Sequence, residues 1–133
     1  FALHYPRVAF TLKKGGGASA STSVVLRTSG NGDINGILSA AFGRDIPKHV
    51  LPVAGSVPGL GLTVDGVVTS PSYLGAKAGF VLFINHRLVS CSPLKTALTA
   101  LYASLLPRGS HPFLYMALKL PSAAVDVNVH PTK

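Results

Sequence analysis

The stretch Ala78-Gly-Phe-Val-Leu-Phe-Ile84 decides the fold. Side chains alternate across a strand, so an unbroken apolar run puts hydrophobic groups on both faces. Such a segment is buried when it is a central strand covered on both sides. It is also the longest apolar stretch in the chain, far below the ~20 residues of a membrane-spanning helix. The segment therefore predicts a covered sheet and argues against a transmembrane helix.

Downstream of that strand the polar triplet Asn85-His86-Arg87 marks an abrupt exit to the surface. Ser92 to Leu106 then reads as a helix. Ser92 is a capping residue, and Pro93 takes the favoured first position. Leu94, Ala97, Leu98, Leu101, Tyr102 and Leu105 recur at helical spacing and predict one core-facing stripe. Pro107 and Gly109 end it. Pro112 to Leu120 is a strand with aromatic and aliphatic residues on both faces. In the last nine residues, Val125, Val127 and Val129 alternate with Asp126, Asn128 and His130, a strand that Pro131 closes. Lys133 follows it, a lone cation delivered to a defined place and suited to a phosphate.

Upstream, Val8 to Lys14 and Val24 to Thr28 read as a hairpin around the loop Gly15 to Thr22. Asn31 to Phe42 reads as a helix with Ile34, Ile37, Leu38, Ala41 and Phe42 on one stripe. Asn31 is its expected cap and Gly43 its left-handed stop. Val50 to Val57 and Leu60 to Thr69 are two further strands, and Pro71 to Gly79 is a loop. The order ββ-α-ββ-β-α-β-β predicts an α+β domain, a mixed sheet with two helices packed on it.

The whole chain, 1–133, has the size of a single domain with a real core. Hydrophobic residues make up 47% and charged residues 12%, which favours a globular fold over disorder. Twelve Lys and Arg face four Asp, a net charge of +8 that favours anionic partners such as nucleic acid, nucleotide or an acidic protein surface. One cysteine, Cys91, allows no internal disulfide and suits a reducing compartment. The start lacks a methionine and a signal-peptide pattern, and the chain ends on its most distinctive motif. Both ends read as cuts inside a longer protein.

Catalytic chemistry is hard to assemble from these residues. Gly15-Gly16-Gly17 lies between two strands, whereas a phosphate cradle opens a helix. It reads as a hairpin tip. The five histidines stand apart in sequence and a single cysteine completes no thiolate site, so no metal centre is expected. Asp126 with His130 could orient a base, although a strand-end hydrogen bond is the simpler account. Arg87 has the rigid donor fork that suits phosphate, or it belongs to an ordinary polar turn. Lys95 and Lys77 either share that face or are solvated. The nucleic-acid candidates are Arg87 and Lys95, and the nucleotide candidate is Lys133.

Three segments together resemble the MutL-homologue DNA mismatch-repair proteins: Phe83-Ile-Asn-His-Arg-Leu-Val89, His111-Pro-Phe-Leu-Tyr115 and Val125-Asp-Val-Asn-Val-His-Pro-Thr-Lys133. Phe1-Ala-Leu-His4, Val8 to Lys14 and Ile37 to Gly43 fit as well, so the likeness covers nearly the whole chain. The His-Pro-Thr-Lys ending resembles the eukaryotic MLH branch rather than the PMS branch. The loop Gly15 to Thr22 and the Gly/Pro-rich stretch Pro52 to Gly61 depart from the family pattern.

The resemblance implies a transducer domain that follows a GHKL ATP-binding domain, with residues 1–5 closing that domain's last helix. It implies a ribosomal-protein-type fold with a left-handed βαβ crossover. It also implies that Lys133 reaches the γ-phosphate of ATP, and that Arg87 faces DNA. ATP and magnesium would belong to the parent protein and no cofactor to this segment, which would be no enzyme by itself. Implied partners are DNA, the preceding ATP-binding domain, a PMS-type paralogue and MutS-type proteins, in the nucleus and away from membranes. The rival expectation is a free-standing nucleic-acid-binding module of the same fold. A small kinase would need a glycine-rich loop opening a helix, which the sequence lacks.

Overall fold

In the computed structural model, residues 1–15 and 22–125 are described. The loop of Gly15 to Thr22 lies mostly outside them, as does the ending from Asp126 to Lys133. The chain divides into two compact units, 1–48 and 49–133.

The first unit holds strands β1 (Thr11–Lys14) and β2 (Ser23–Arg27), paired antiparallel, then helix α1 (Ile34–Phe42) and a 3-10 turn at Ile46–Lys48. The hairpin expected from Val8 starts later, at Thr11. Its base is closed by Thr28: the Thr28 N–H donates to the Phe10 carbonyl (2.8 Å), and the Phe10 N–H donates to Thr28 Oγ1 (2.9 Å). Leu3, Ile37, Leu38 and Ile46 are buried. Asn31 is not the cap of α1. The N-cap is Asp33, without a side-chain bond, and Asn31 Oδ1 instead accepts from the Asp33 N–H (3.0 Å). That is an Asx turn leading into the helix. Gly43 ends α1 at φ 131°, ψ 149°, a positive φ but not the left-handed helical turn. Ala41 and Phe42, expected on the buried stripe, are exposed.

The second unit is a five-stranded mixed sheet in the order β3-β4-β7-β5-β6. Its strands are β3 (Val50–Val57), β4 (Leu62–Thr69), β5 (Gly79–Ile84), β6 (Arg87–Val89) and β7 (Phe113–Lys119), with helix α2 (Ser92–Ala103) between β6 and β7. β5 and β7 run parallel, from Gly79↔Phe113 to Ile84↔Leu118, while the other pairs are antiparallel. β5 is interior, as its composition requires. Leu82 and Phe83 are 1% and 0% exposed, although consecutive residues point to opposite faces. β6 is a strand that the sequence pattern does not predict, since Leu88-Val89 simply follow a polar turn there.

Helix α2 starts one residue differently and buries less than its periodicity predicts. Its N-cap is Cys91, and Ser92 is the first helical residue rather than the cap. It ends at Ala103, short of Leu106. Tyr102 is buried and Leu94 and Leu98 are half-buried, but Ala97 is exposed, as are Leu101 (58%) and Leu105 (54%). The stripe is core along one edge only.

Tyr102 fastens the helix. Its hydroxyl donates to the Thr69 carbonyl at 2.6 Å. Thr69, 1% exposed, uses its own Oγ1 to accept from the Phe113 N–H (2.9 Å) and to donate to the Phe113 carbonyl (3.2 Å). The β4–β7 ladder ends at Val68↔Leu114, so the Thr69 hydroxyl supplies one more rung. Burial pushes the Tyr102 phenol above its ordinary value near 10. The folded state therefore holds that proton more tightly than the unfolded chain does. The phenol's contribution to stability is full below about pH 10 and is lost as pH rises beyond it. Tyr102→Phe is expected to cost ~1–2 kcal/mol at neutral pH and to flatten the alkaline fall. Denaturant titrations at pH 8 and above pH 10 check both; an equal alkaline slope in the variant contradicts the assignment.

Candidate nucleic-acid interface

β5 and β6 are joined by two residues, Asn85 and His86, with φ of 48° and 67°. Two consecutive positive φ values give the tight hairpin turn whose twist matches the flanking strands, and asparagine tolerates its first position best. Asn85 then does more than turn the chain. Its N–H donates to the Leu118 carbonyl (2.9 Å), its Nδ2 donates to the Leu120 carbonyl (3.0 Å), and its Oδ1 accepts from the Leu120 N–H (2.9 Å). The side chain thus reproduces a backbone rung beyond Ile84↔Leu118. It pins the end of β7, from which the chain runs through a 3-10 turn at Ser122–Ala124 to Val125.

Asn85→Ala should remove both side-chain bonds and put a residue less tolerant than asparagine in a left-handed conformation. The expected loss is ~2–4 kcal/mol, from two part-buried bonds and the left-handed backbone. Loss of amide-exchange protection at Leu120, ahead of the rest of β7, is the local signature. Unchanged protection there would contradict the clamp.

The turn triplet therefore separates into two roles. Asn85 is structural; Arg87 is the exposed first residue of β6, paired with Ile84 on the sheet's edge. By sequence alone the triplet is one basic turn, and an asparagine directly after a strand is the available sign of the hairpin. Lys95 is exposed in the first turn of α2, its N–H donating to the Cys91 carbonyl (3.0 Å). It borders a shallow groove with Thr96, Thr99, Ala100 and Ala103. Arg87 and Lys95 thus bracket the β6–α2 connection. Lys77 is also exposed but precedes the opposite end of β5, roughly 20 Å along the strand at ~3.3 Å per residue. Lys133 lies outside the described residues.

Among the described residues no His, Cys, Asp or Glu group could hold a metal ion, and no helix is long and apolar enough to cross a membrane. Arg87 on the edge strand and Lys95 on α2 are exposed cations with no described acid hydrogen-bonded to either, side chains of the kind that can contact phosphate.

The fold has a close counterpart. A crystal structure described as the N terminal domain of a DNA repair protein superposes with a TM-score of 0.79, covering 98% of this chain and 42% of that one at 20% identity. The α+β arrangement is therefore a known domain type. Residues 38–133 match the family described as DNA mismatch repair protein, C-terminal domain. The chain is 34% identical to the DNA mismatch repair protein MutL of Geobacillus sp. (strain WCH70), over 99% of this chain and 20% of that protein. It is also 34% identical to the DNA mismatch repair protein MLH1 of Saccharomyces cerevisiae, over 100% of this chain and 17% of that protein. The chain belongs to the MutL-homologue DNA mismatch repair family. It spans about a fifth of the length of these relatives.

Proposed function

We propose that this chain is the transducer domain of a mismatch-repair ATPase, coupling nucleotide state to dimerisation and DNA binding. One observation carries the reading: the family match runs from residue 38 through residue 133 and so takes in the sequence motif that ends on Lys133. In this reading Lys133 meets the γ-phosphate of a nucleotide held by a preceding ATP-binding domain. A charge-assisted contact of ~1.5–3 kcal/mol that exists only while the γ-phosphate does can bias a domain orientation and release it on hydrolysis. ATP and magnesium are held by that other domain, and this chain contributes the lysine. By itself the chain turns over no ATP.

The parent protein belongs to the MLH-like branch, works in the nucleus, and pairs with a PMS-type paralogue and MutS-type proteins. The β5–α2–β7 connection is the left-handed crossover of the ribosomal-protein-type fold, against the usual right-handed preference. The Asn85 clamp on Leu120 supports the reading, because it fixes where the chain departs toward Val125 and the motif beyond.

Arg87 and Lys95 supply the DNA contacts. Their exposure and the net charge of +8 support this assignment. Binding should then be weak, indifferent to sequence and steeply salt-sensitive. Lys95→Ala is expected to lower the slope of log affinity against log salt by about one. Arg87→Glu should lower it at least as much and weaken binding at every salt concentration. Equal affinity at low and moderate salt, or an Arg87→Glu variant that binds as the parent chain does, contradicts this surface. A strong preference for one folded RNA would favour the free-standing module.

A further inference from the structure

Two serines stand immediately before a proline, Ser70-Pro71 and Ser92-Pro93. Their settings differ. Ser70 is half-buried; its N–H donates to the His49 carbonyl (2.8 Å), its hydroxyl lies 2.6 Å from Ser72 Oγ, and the residue three places on is Tyr73. Ser92 is exposed as the first residue of α2, and the residue three places on is the exposed Lys95. Ser-Pro-x-Lys is a substrate signature of proline-directed protein kinases. The proline asks for no backbone acceptor in the kinase cleft, and the later cation meets an acidic subsite. We propose that Ser92 is a phosphoacceptor for a proline-directed serine/threonine kinase, and that its phosphate pairs with Lys95.

A kinase takes such a segment extended, so the first turn of α2 has to open. Its start is lightly held. Cys91 makes no side-chain cap and Pro93 has no N–H to lose, so opening the turn costs the Lys95 N–H to Cys91 carbonyl bond and the first intrahelical bonds that follow it. Helix ends open at low cost. In the transfer, Ser92 Oγ attacks the γ-phosphorus of ATP. The Oγ–P bond forms as the bond from that phosphorus to the bridging oxygen breaks. ADP leaves with the electron pair, and the hydroxyl proton passes to the kinase's catalytic aspartate. The product carries about −1.5 to −2 at pH 7. Residues three apart are neighbours on a helix, so the phosphate covers Lys95. If the DNA reading above holds, on which this consequence rests, the modification removes Lys95 from the DNA surface and adds a repelling charge there.

The test treats the chain with ATP, magnesium and a purified cyclin-dependent kinase, then maps phosphate by mass spectrometry. Incorporation is expected at Ser92, abolished in Ser92→Ala, at least tenfold slower in Lys95→Gln, and unchanged in Ser70→Ala. No phosphate at Ser92, or Ser70 modified in preference, overturns the site. Phosphorus NMR titration reads the pairing without DNA: the phosphoserine should lose its second proton at lower pH than in Lys95→Gln, and identical midpoints overturn the pairing. DNA affinity at low salt should fall at least tenfold on phosphorylation and stay unchanged in kinase-treated Ser92→Ala. An unmodified chain that binds no DNA counts against the DNA reading, while the first two readouts still decide the site and its pairing.

Discussion

Gly66→Ala is expected to cost about 3 kcal/mol, a fall of roughly 10–20 °C in Tm for a chain of this size. Gly66 sits within β4, opposite Val53 on one side and Met116 on the other. A Cβ built there runs into the Tyr115 carbonyl oxygen and stands 3.0 Å from both Met116 Cα and Tyr115 C. These are backbone atoms of β7, the middle strand of the sheet, and no rotamer change moves them. The variant has to push β4 and β7 apart or distort both. Gly55 provides the control. It lies in the neighbouring edge strand β3, where an added Cβ meets nothing within 4 Å. Gly55→Ala should be neutral or stabilise by up to ~1 kcal/mol, since alanine has less chain entropy to lose. Parallel thermal unfolding of the two variants checks the close approach, and equal Tm values would contradict it.

Much of this architecture can be read from residue order alone. The run through Leu82 and Phe83 placed an interior strand, and Pro93 placed the start of the long helix within a residue. The features that escaped have a common physical origin. Thr28, Thr69 and Asn85 each use a side chain where a backbone rung would otherwise stand, and their sequence signs are those of ordinary loop polars. β6 escaped because it is three residues long and its turn has no glycine, both positive φ values falling on Asn85 and His86. For α2, spacing marked an apolar stripe but not what covers it. Leu101 and Leu105 keep helical periodicity while remaining exposed. Of the candidate site, Arg87 and Lys95 were legible as exposed cations, while the clamp that orders Arg87's hairpin was not. Lys133 was legible only through its motif.

The second large effect concerns that lysine. In the parent protein, Lys133→Ala should leave nucleotide binding weaker by roughly 10–150-fold, the equivalent of the ~1.5–3 kcal/mol of one charge-assisted contact. The consequence for conformation should be larger than this loss. A ligand shifts an equilibrium only through its differential affinity for the two states, and Lys133 is proposed as the group by which this domain tells a γ-phosphate from its absence. Lys133→Arg keeps the charge but presents a planar fork in place of a compact ammonium, so it should restore closure only in part.

The most direct test is nucleotide-driven closure of the parent dimer, followed by crosslinking or small-angle scattering at saturating non-hydrolysable ATP analogue. The expected result is closure in the parent protein and none in Lys133→Ala, although saturation is verified for both. Closure of the Lys133→Ala protein to the same extent as the parent would contradict the transducer role.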